Sequence, residues 1–180
     1  MHPVTHPGAA YLLYAAWLRL ADTDRRTPSD GATLALVVGA LLPDLVDKPL
    51  YHYGLLDVPS GRVLGHSLIF LVPLSVVAIV AVRRSSLPDH VGGAFAFGLL
   101  SHAATDAVPP ILFGQFDELG FLLWPVTHSP PYVGYKPLFE VAGVTVTTMW
   151  VDFVVLAVAL VVWWRDGRPG LAPLLDRAPG

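Results

Sequence analysis

Apolar residues gather in five stretches, separated by short runs rich in proline, glycine and charge. The stretches cover residues 7–21, 31–47, 64–82, 90–108 and 141–164, and each predicts a helix. Ser29 or Asp30 offers an N-cap for the second. Arg83 and Arg84 close the third, Pro109 and Pro110 the fourth, and Arg165 the fifth. Only the third and fifth approach the ~20 apolar residues of a standard membrane span. The other three are shorter or carry polar residues inside. The pattern predicts an all-α chain, a polytopic helical membrane bundle of about five helices, several short or interrupted. Residues 1–165 are expected to form one membrane-embedded domain, with 166–180 a frayed cytoplasmic tail.

Composition agrees with a membrane setting. The chain is 54% hydrophobic and 14% charged, where soluble domains are about 25% charged. The net charge of −3 argues against nucleic acid as a partner. Cysteine is absent, which excludes disulfides, thiolate metal sites and a cysteine nucleophile. Any metal site must therefore use His, Asp and Glu. No Lys or Arg precedes the first apolar stretch, so the start does not read as a cleaved signal peptide.

The cations orient the chain. If the five segments alternate in direction, Arg19, Arg25, Arg26, Arg83, Arg84, Arg165, Arg168 and Arg177 share one side. Lys48, Arg62 and Lys136 share the other. The richer side is expected to be cytoplasmic. The chain then reads as a multi-pass plasma-membrane protein with its N-terminus outside and its C-terminus inside.

Polar residues in apolar surroundings are the candidates for chemistry. His102 and Asp106 stand four apart within the fourth stretch, on one helix face. Counted from Val91 at 1.5 Å per residue, they rise roughly 17 Å and 23 Å into a ~30 Å core. Burying both groups is costly without a partner. Asp44 and Asp47 stand three apart at the outer end of the second stretch, where paired carboxylates repel unless a cation joins them. An ordinary polar helix end with Lys48 as counter-ion is the alternative there. His66 precedes the third stretch, with Ser67 beside it as a cap or a ring partner. His6 opens the first. All these residues fall in the outer half of the predicted topology, although Lys and Arg alone fixed that topology. Together His6, Asp44, Asp47, His66, His102 and Asp106 make a candidate ligand set for divalent metal.

Other residues have weaker claims. Arg62 is a cation suited to a phosphate, or to Asp57 or a lipid headgroup. His128 and Glu140 are candidates for a further metal position. Asp152 shares a face with Thr145 and Thr148 and reads as a structural hydrogen-bonding group. His2 lies four residues from His6, while His52 and His90 read as solvated.

Five motifs occur in order: Thr5-His6, Leu42-Pro-Asp-Leu-Val-Asp47, Arg62 with His66-Ser67, Ser101-His-Ala-Ala-Thr-Asp106 and Leu122-Leu-Trp-Pro125. In that order they resemble the membrane-bound, predicted metal-dependent hydrolases, called LexA-regulated in some descriptions. The likeness covers roughly residues 1–126. That family often carries a histidine and a threonine where this chain has Gly61 and Gly65. The ligand order is also similar to the all-α zinc-dependent phospholipase C and single-strand nuclease group. That second likeness implies one zinc held by Asp44 or Asp47 with His66, His102 and Asp106, and Asp106 bridging to a second ion near His6.

These readings converge on a membrane hydrolase acting on a phosphoester, such as a phospholipid headgroup, at the extracytoplasmic face. Whichever of Asp44 and Asp47 is not a ligand would serve as general base, and Arg62 would neutralise phosphate charge. The rival is a non-enzymatic protein that binds, senses or moves divalent metal through the lipid bilayer.

Overall fold

A computed structural model of the chain describes residues 2–21, 25–131, 137–141 and 144–171. Five α-helices follow in the order the hydrophobic pattern predicts: α1 (Thr5–Leu20), α2 (Asp30–His52), α3 (Leu68–Arg83), α4 (His90–Leu112) and α5 (Thr148–Arg165). A 3-10 helix, Phe116–Leu123, follows α4. The chain is mostly helical but not strictly all-α. An antiparallel hairpin pairs β1 (Pro137–Val141) with β2 (Val144–Thr147).

The departures from the sequence expectation have local causes. The fifth stretch divides because Val144-Thr-Val-Thr147 is β-branched throughout and suits a strand. Thr147 then caps α5 by accepting from the Met149 amide. α2 runs past Pro43 and Pro49, and α4 past Pro109 and Pro110, so these prolines interrupt hydrogen-bond ladders without ending the helices. Ser29 is the cap of α2, accepting from Ala32 N.

α2 and α4 form the centre, and two glycines let them approach. A Cβ on Gly39 would stand 2.3 Å from the Phe95 carbonyl oxygen, and one on Gly98 would stand 2.3 Å from that of Leu36. Any side chain at either position would force the backbones apart. α1 packs across this pair through Ala10, Tyr11, Tyr14, Ala15 and Leu18, which meet Leu36, Ala40 and Ala94. α5 lies on α1, and α3 lies on α4.

α3 buries only Leu71 and Ser75, and α5 only Asp152 and Ala159. Their remaining apolar side chains, from Phe70 and Val76 to Phe153 and Trp164, face outward. An uncovered apolar face of this kind marks a lipid or partner contact. By length and composition α5 alone, among the described residues, could cross a membrane; α3 is apolar but 16 residues long.

One end of the bundle is closed by polar bonds. Tyr11 OH donates to Asp166 Oδ2 at 2.8 Å, and Arg19 pairs with Asp166 Oδ1. The Gly170 amide donates to Asp30 Oδ1, and Ser29 Oγ meets His90 Nε2 at 2.9 Å. Residues 166–171 are therefore docked on α1 and α2 rather than frayed, because Asp166 and Gly170 find partners there. The rest of the expected tail, residues 172–180, lies outside the described residues, as do Met1 and Lys136.

Candidate metal centre

The opposite end gathers the sequence candidates. His6 stands in the first turn of α1, Asp44 and Asp47 in the second half of α2, His66 just before α3, and His102 and Asp106 in the second half of α4. All six are buried. His6 and His102 stack with ring centroids 3.7 Å apart, and His66 meets His102 edge-on at 4.8 Å.

Each histidine is held at Nδ1 by the fold. His102 Nδ1 lies 2.7 Å from the Ala40 carbonyl oxygen, a group that only accepts. The close approach at Gly39 and Gly98 brings that carbonyl within reach. His66 Nδ1 lies 2.7 Å from Asp47 Oδ2. His6 Nδ1 lies 3.1 Å from Thr105 Oγ1, whose own hydroxyl proton goes to the His102 carbonyl oxygen at 3.0 Å. These partners assign the ring proton to Nδ1 in all three, so each Nε2 turns a lone pair inward.

The inward atoms crowd together. His66 Nε2 and His102 Nε2 are 3.0 Å apart. Asp44 Oδ1 lies 3.6 Å from His66 Nε2 and 3.9 Å from His102 Nε2. Asp106 Oδ2 lies 3.6 Å and 3.9 Å from the same two nitrogens, and Asp106 Oδ1 lies 3.4 Å from His6 Nε2. Ligands around one tetrahedral zinc lie ~3.3–3.6 Å from one another, given bonds of ~2.0–2.2 Å. His6 Nε2 is buried and makes no hydrogen bond. Acceptors facing acceptors, with an orphaned imidazole nitrogen among them, fit a cation. Two overlapping sets have spacing that could hold an ion: His6, Asp44 and His102, and His66, His102 and Asp106. His66, in the loop before α3, shows the same demand for positive charge. Burial disfavours its protonated form, yet Asp44, Asp47 and Asp106 outweigh that and raise its pKa.

Asp47 stands apart from this set. Its carboxylate accepts from Val63 N and Gly65 N, each at 2.8 Å, as well as from His66. Three donors occupy it, so it orients His66 and fixes the 61–67 loop instead of offering a free oxygen. A Cβ on Gly65 would lie 2.7 Å from the Pro43 carbonyl oxygen, so that loop packs on α2 only with glycine there. Arg62 Nε pairs with Asp106 Oδ2 at 3.0 Å, and Lys48 Nζ with Asp44 Oδ2 at 2.8 Å. Ser129 Oγ and Ser60 Oγ donate to the Arg62 carbonyl oxygen and hold the loop in place. Ser67 caps α3 and donates to the Trp124 carbonyl oxygen at 2.6 Å, so it fastens the Leu122–Pro125 motif and not a histidine ring.

The family model for the YdjM inner membrane protein matches residues 1–172. The chain belongs to the YdjM inner membrane protein family. No curated protein and no solved structure matches it. Membership associates this YdjM-family chain with the lipid bilayer of the inner membrane, a setting that suits the uncovered apolar faces of α3 and α5.

Other candidates in this YdjM-family chain lie elsewhere. His128 is exposed, and the side chain of Glu140 lies outside those described, so the further metal position that the two suggested has no geometry. His2, His52 and His90 belong to neither candidate metal group. Asp152 accepts from the His2 amide at 2.7 Å, the structural bond expected of it. Two contributors escaped sequence reasoning. Thr105 sits inside the Ser101–Asp106 motif and carries a signal, being one residue before Asp106. The Ala40 carbonyl carries none, because every residue has one.

Proposed function

We propose that this chain is a membrane-bound, metal-dependent hydrolase that spans the bilayer several times, with its centre at the extracytoplasmic face. The observation that carries the reading is the set of three histidines, each anchored at Nδ1, with Nε2 turned towards Asp44 and Asp106. His6, Asp44, His66, His102 and Asp106 would hold the ion, with zinc the best match to such a nitrogen and carboxylate set. A divalent ion would supply Lewis acidity, activating water and stabilising negative charge on phosphoryl oxygens. Asp47 keeps His66 in its tautomer and orientation; its three hydrogen bonds disfavour a general-base role. Arg62, beside Asp106, suits a phosphate oxygen.

A lipid phosphoester is the favoured substrate. A largely apolar cavity of about 590 Å³ lies between α1, α4, β1 and α5, and Thr105, which holds His6, forms part of its wall. Acyl chains suit such a chamber better than a soluble polymer does. A metal-moving role needs a polar path to the other face, and α1, α2 and α4 are packed there by Tyr, Leu and Ala.

The test is metal content of detergent-purified protein, with hydrolysis of a phospholipid measured alongside. Wild type should retain about one or two divalent ions per chain, and chelation should abolish hydrolysis. His6→Ala and His102→Ala should each lose metal while remaining folded by circular dichroism. Equal, near-zero metal in wild type and variants would sink the reading.

A further inference from the structure

Beside the centre lies a second cavity of about 270 Å³, lined by Asp44, Lys48, Tyr51, Gly61, Arg62 and Asp106 among others. That is just below the ~300–1,000 Å³ of common small-molecule sites. It holds two cations, and each is paired with a carboxylate that also faces the histidines: Asp44 through its other oxygen, Asp106 through Oδ1 towards His6 and through the shared Oδ2 towards His66 and His102. Lys48 Nζ is 2.8 Å from Asp44 Oδ2, while Asp44 Oδ1 faces His66 and His102. Arg62 Nε is 3.0 Å from Asp106 Oδ2. Gly61 widens the space: a Cβ there would meet the Tyr51 ring at 3.6 Å, and a longer side chain would extend into the cavity.

The charge of this region depends on whether an ion is bound. Among the described side chains, and with neutral histidines, Asp44, Asp47 and Asp106 outweigh Lys48 and Arg62 by one negative charge. A divalent ion turns that into one positive charge. It also competes with Lys48 and Arg62 for the electron density of the two carboxylates. Two cations lining a cavity then face weakened partners, and an anion becomes the favoured occupant.

We propose that this cavity is an oxyanion subsite for a phosphate group, formed by Lys48 and Arg62 and created by metal loading. The ammonium of Lys48 and the guanidinium of Arg62 reach this cavity from α2 and from the 61–67 loop. Arg62 gives directional hydrogen bonds and Lys48 a movable point charge. Binding is ordered: the ion enters first, and the phosphate follows. Lys48 thereby has two partners, Asp44 before loading and the phosphate after it. Gly61 supplies room where a larger residue would obstruct the phosphate or its ester substituent.

The inference rests on the metal-dependent reading, and its test separates the two. Binding of inorganic phosphate to detergent-solubilised full-length chain would be measured by calorimetry, with zinc and after chelation. Wild type should bind phosphate with zinc and at least roughly tenfold more weakly without it, the worth of one charge-assisted hydrogen bond. Lys48→Met should lose about tenfold in phosphate affinity. Its zinc affinity should stay at or above wild type, because a competing cation on Asp44 is gone. Lys48→Arg should restore phosphate binding. Parallel titration with a short-chain phosphatidic acid identifies the source: tighter binding of the lipid indicates a headgroup, and equal binding a free phosphate. Failure of wild type to take up zinc overturns the hydrolase reading and the subsite together. Zinc uptake with phosphate affinity indifferent to zinc or to Lys48 overturns the subsite alone.

Discussion

Both ends of the helical bundle hold carboxylates, half-buried at one and buried at the other, and they satisfy them differently. At one end Asp166 accepts from Tyr11 and pairs with Arg19, and Asp30 accepts from the Gly170 amide. Donors meet acceptors, and those bonds are complete within the chain. At the other end three imidazole lone pairs face one another and two carboxylates, and the fold spends its donors on the far sides of the rings. A carboxylate tucked in at a helix end therefore does not by itself mark function. Asp44 and Asp106 also have cations, Lys48 and Arg62, yet on their histidine side they meet lone pairs and no protons, and that side is what separates the two ends. The first arrangement fastens α5 to α1; the second asks for a cation.

The largest effects should divide along that line. His102→Ala removes a nitrogen common to both possible ligand sets. Metal affinity should fall by more than the ~10–100-fold typical of losing an outer hydrogen-bond partner, read by competition with a chromogenic chelator. Asp47→Asn should fall within that ~10–100-fold range, since one oxygen can no longer serve His66 and two amides together. A metal affinity unchanged in Asp47→Asn would mean that it fixes the loop and nothing more. Asp166→Asn should do the reverse. It should destabilise the chain in detergent by about 1–3 kcal/mol, from loss of a charged acceptor, with metal affinity unaltered. If Asp166→Asn also shed metal, the two ends would be coupled and the contrast would fail.

Much of the centre was legible in the sequence because its groups are hard to bury. His66, His102, Asp106 and Asp44 stand out in apolar surroundings, and the antiparallel order of the helices brings them to one end. The Asp44 and Asp47 pair could not be resolved that way. Two carboxylates three apart look alike until the 61–67 loop folds back and its amides occupy one of them. Lys48 serves as the counter-ion weighed for that helix end, yet Asp44 faces the histidines as well. The hairpin at 137–147 was hidden because β-branched residues suit a membrane helix and a strand equally. The docking of 166–171 depends on partners more than 100 positions away, which no local pattern reveals.

The smallest expected effect concerns the apolar chamber. Val151 lies on its α5 wall and is 44% exposed, so a larger side chain can be accommodated without disturbing the buried contacts of α5. Val151→Trp should fill part of the chamber while leaving His6 and Thr105 untouched. On the proposed reading, losing room for about one methylene at ~0.8 kcal/mol would raise KM for a long-chain phospholipid roughly fourfold. On the proposed reading a short, water-soluble phosphoester would reach the centre without using the chamber, and its kinetics should not change. An equal loss on both substrates would show that the substitution disturbs the centre itself. No loss on either would remove the chamber from the substrate path. A selective loss would join the polar end to the lipid-facing surface: Thr105 would then be a wall of the acyl chamber and the support of a metal ligand at once.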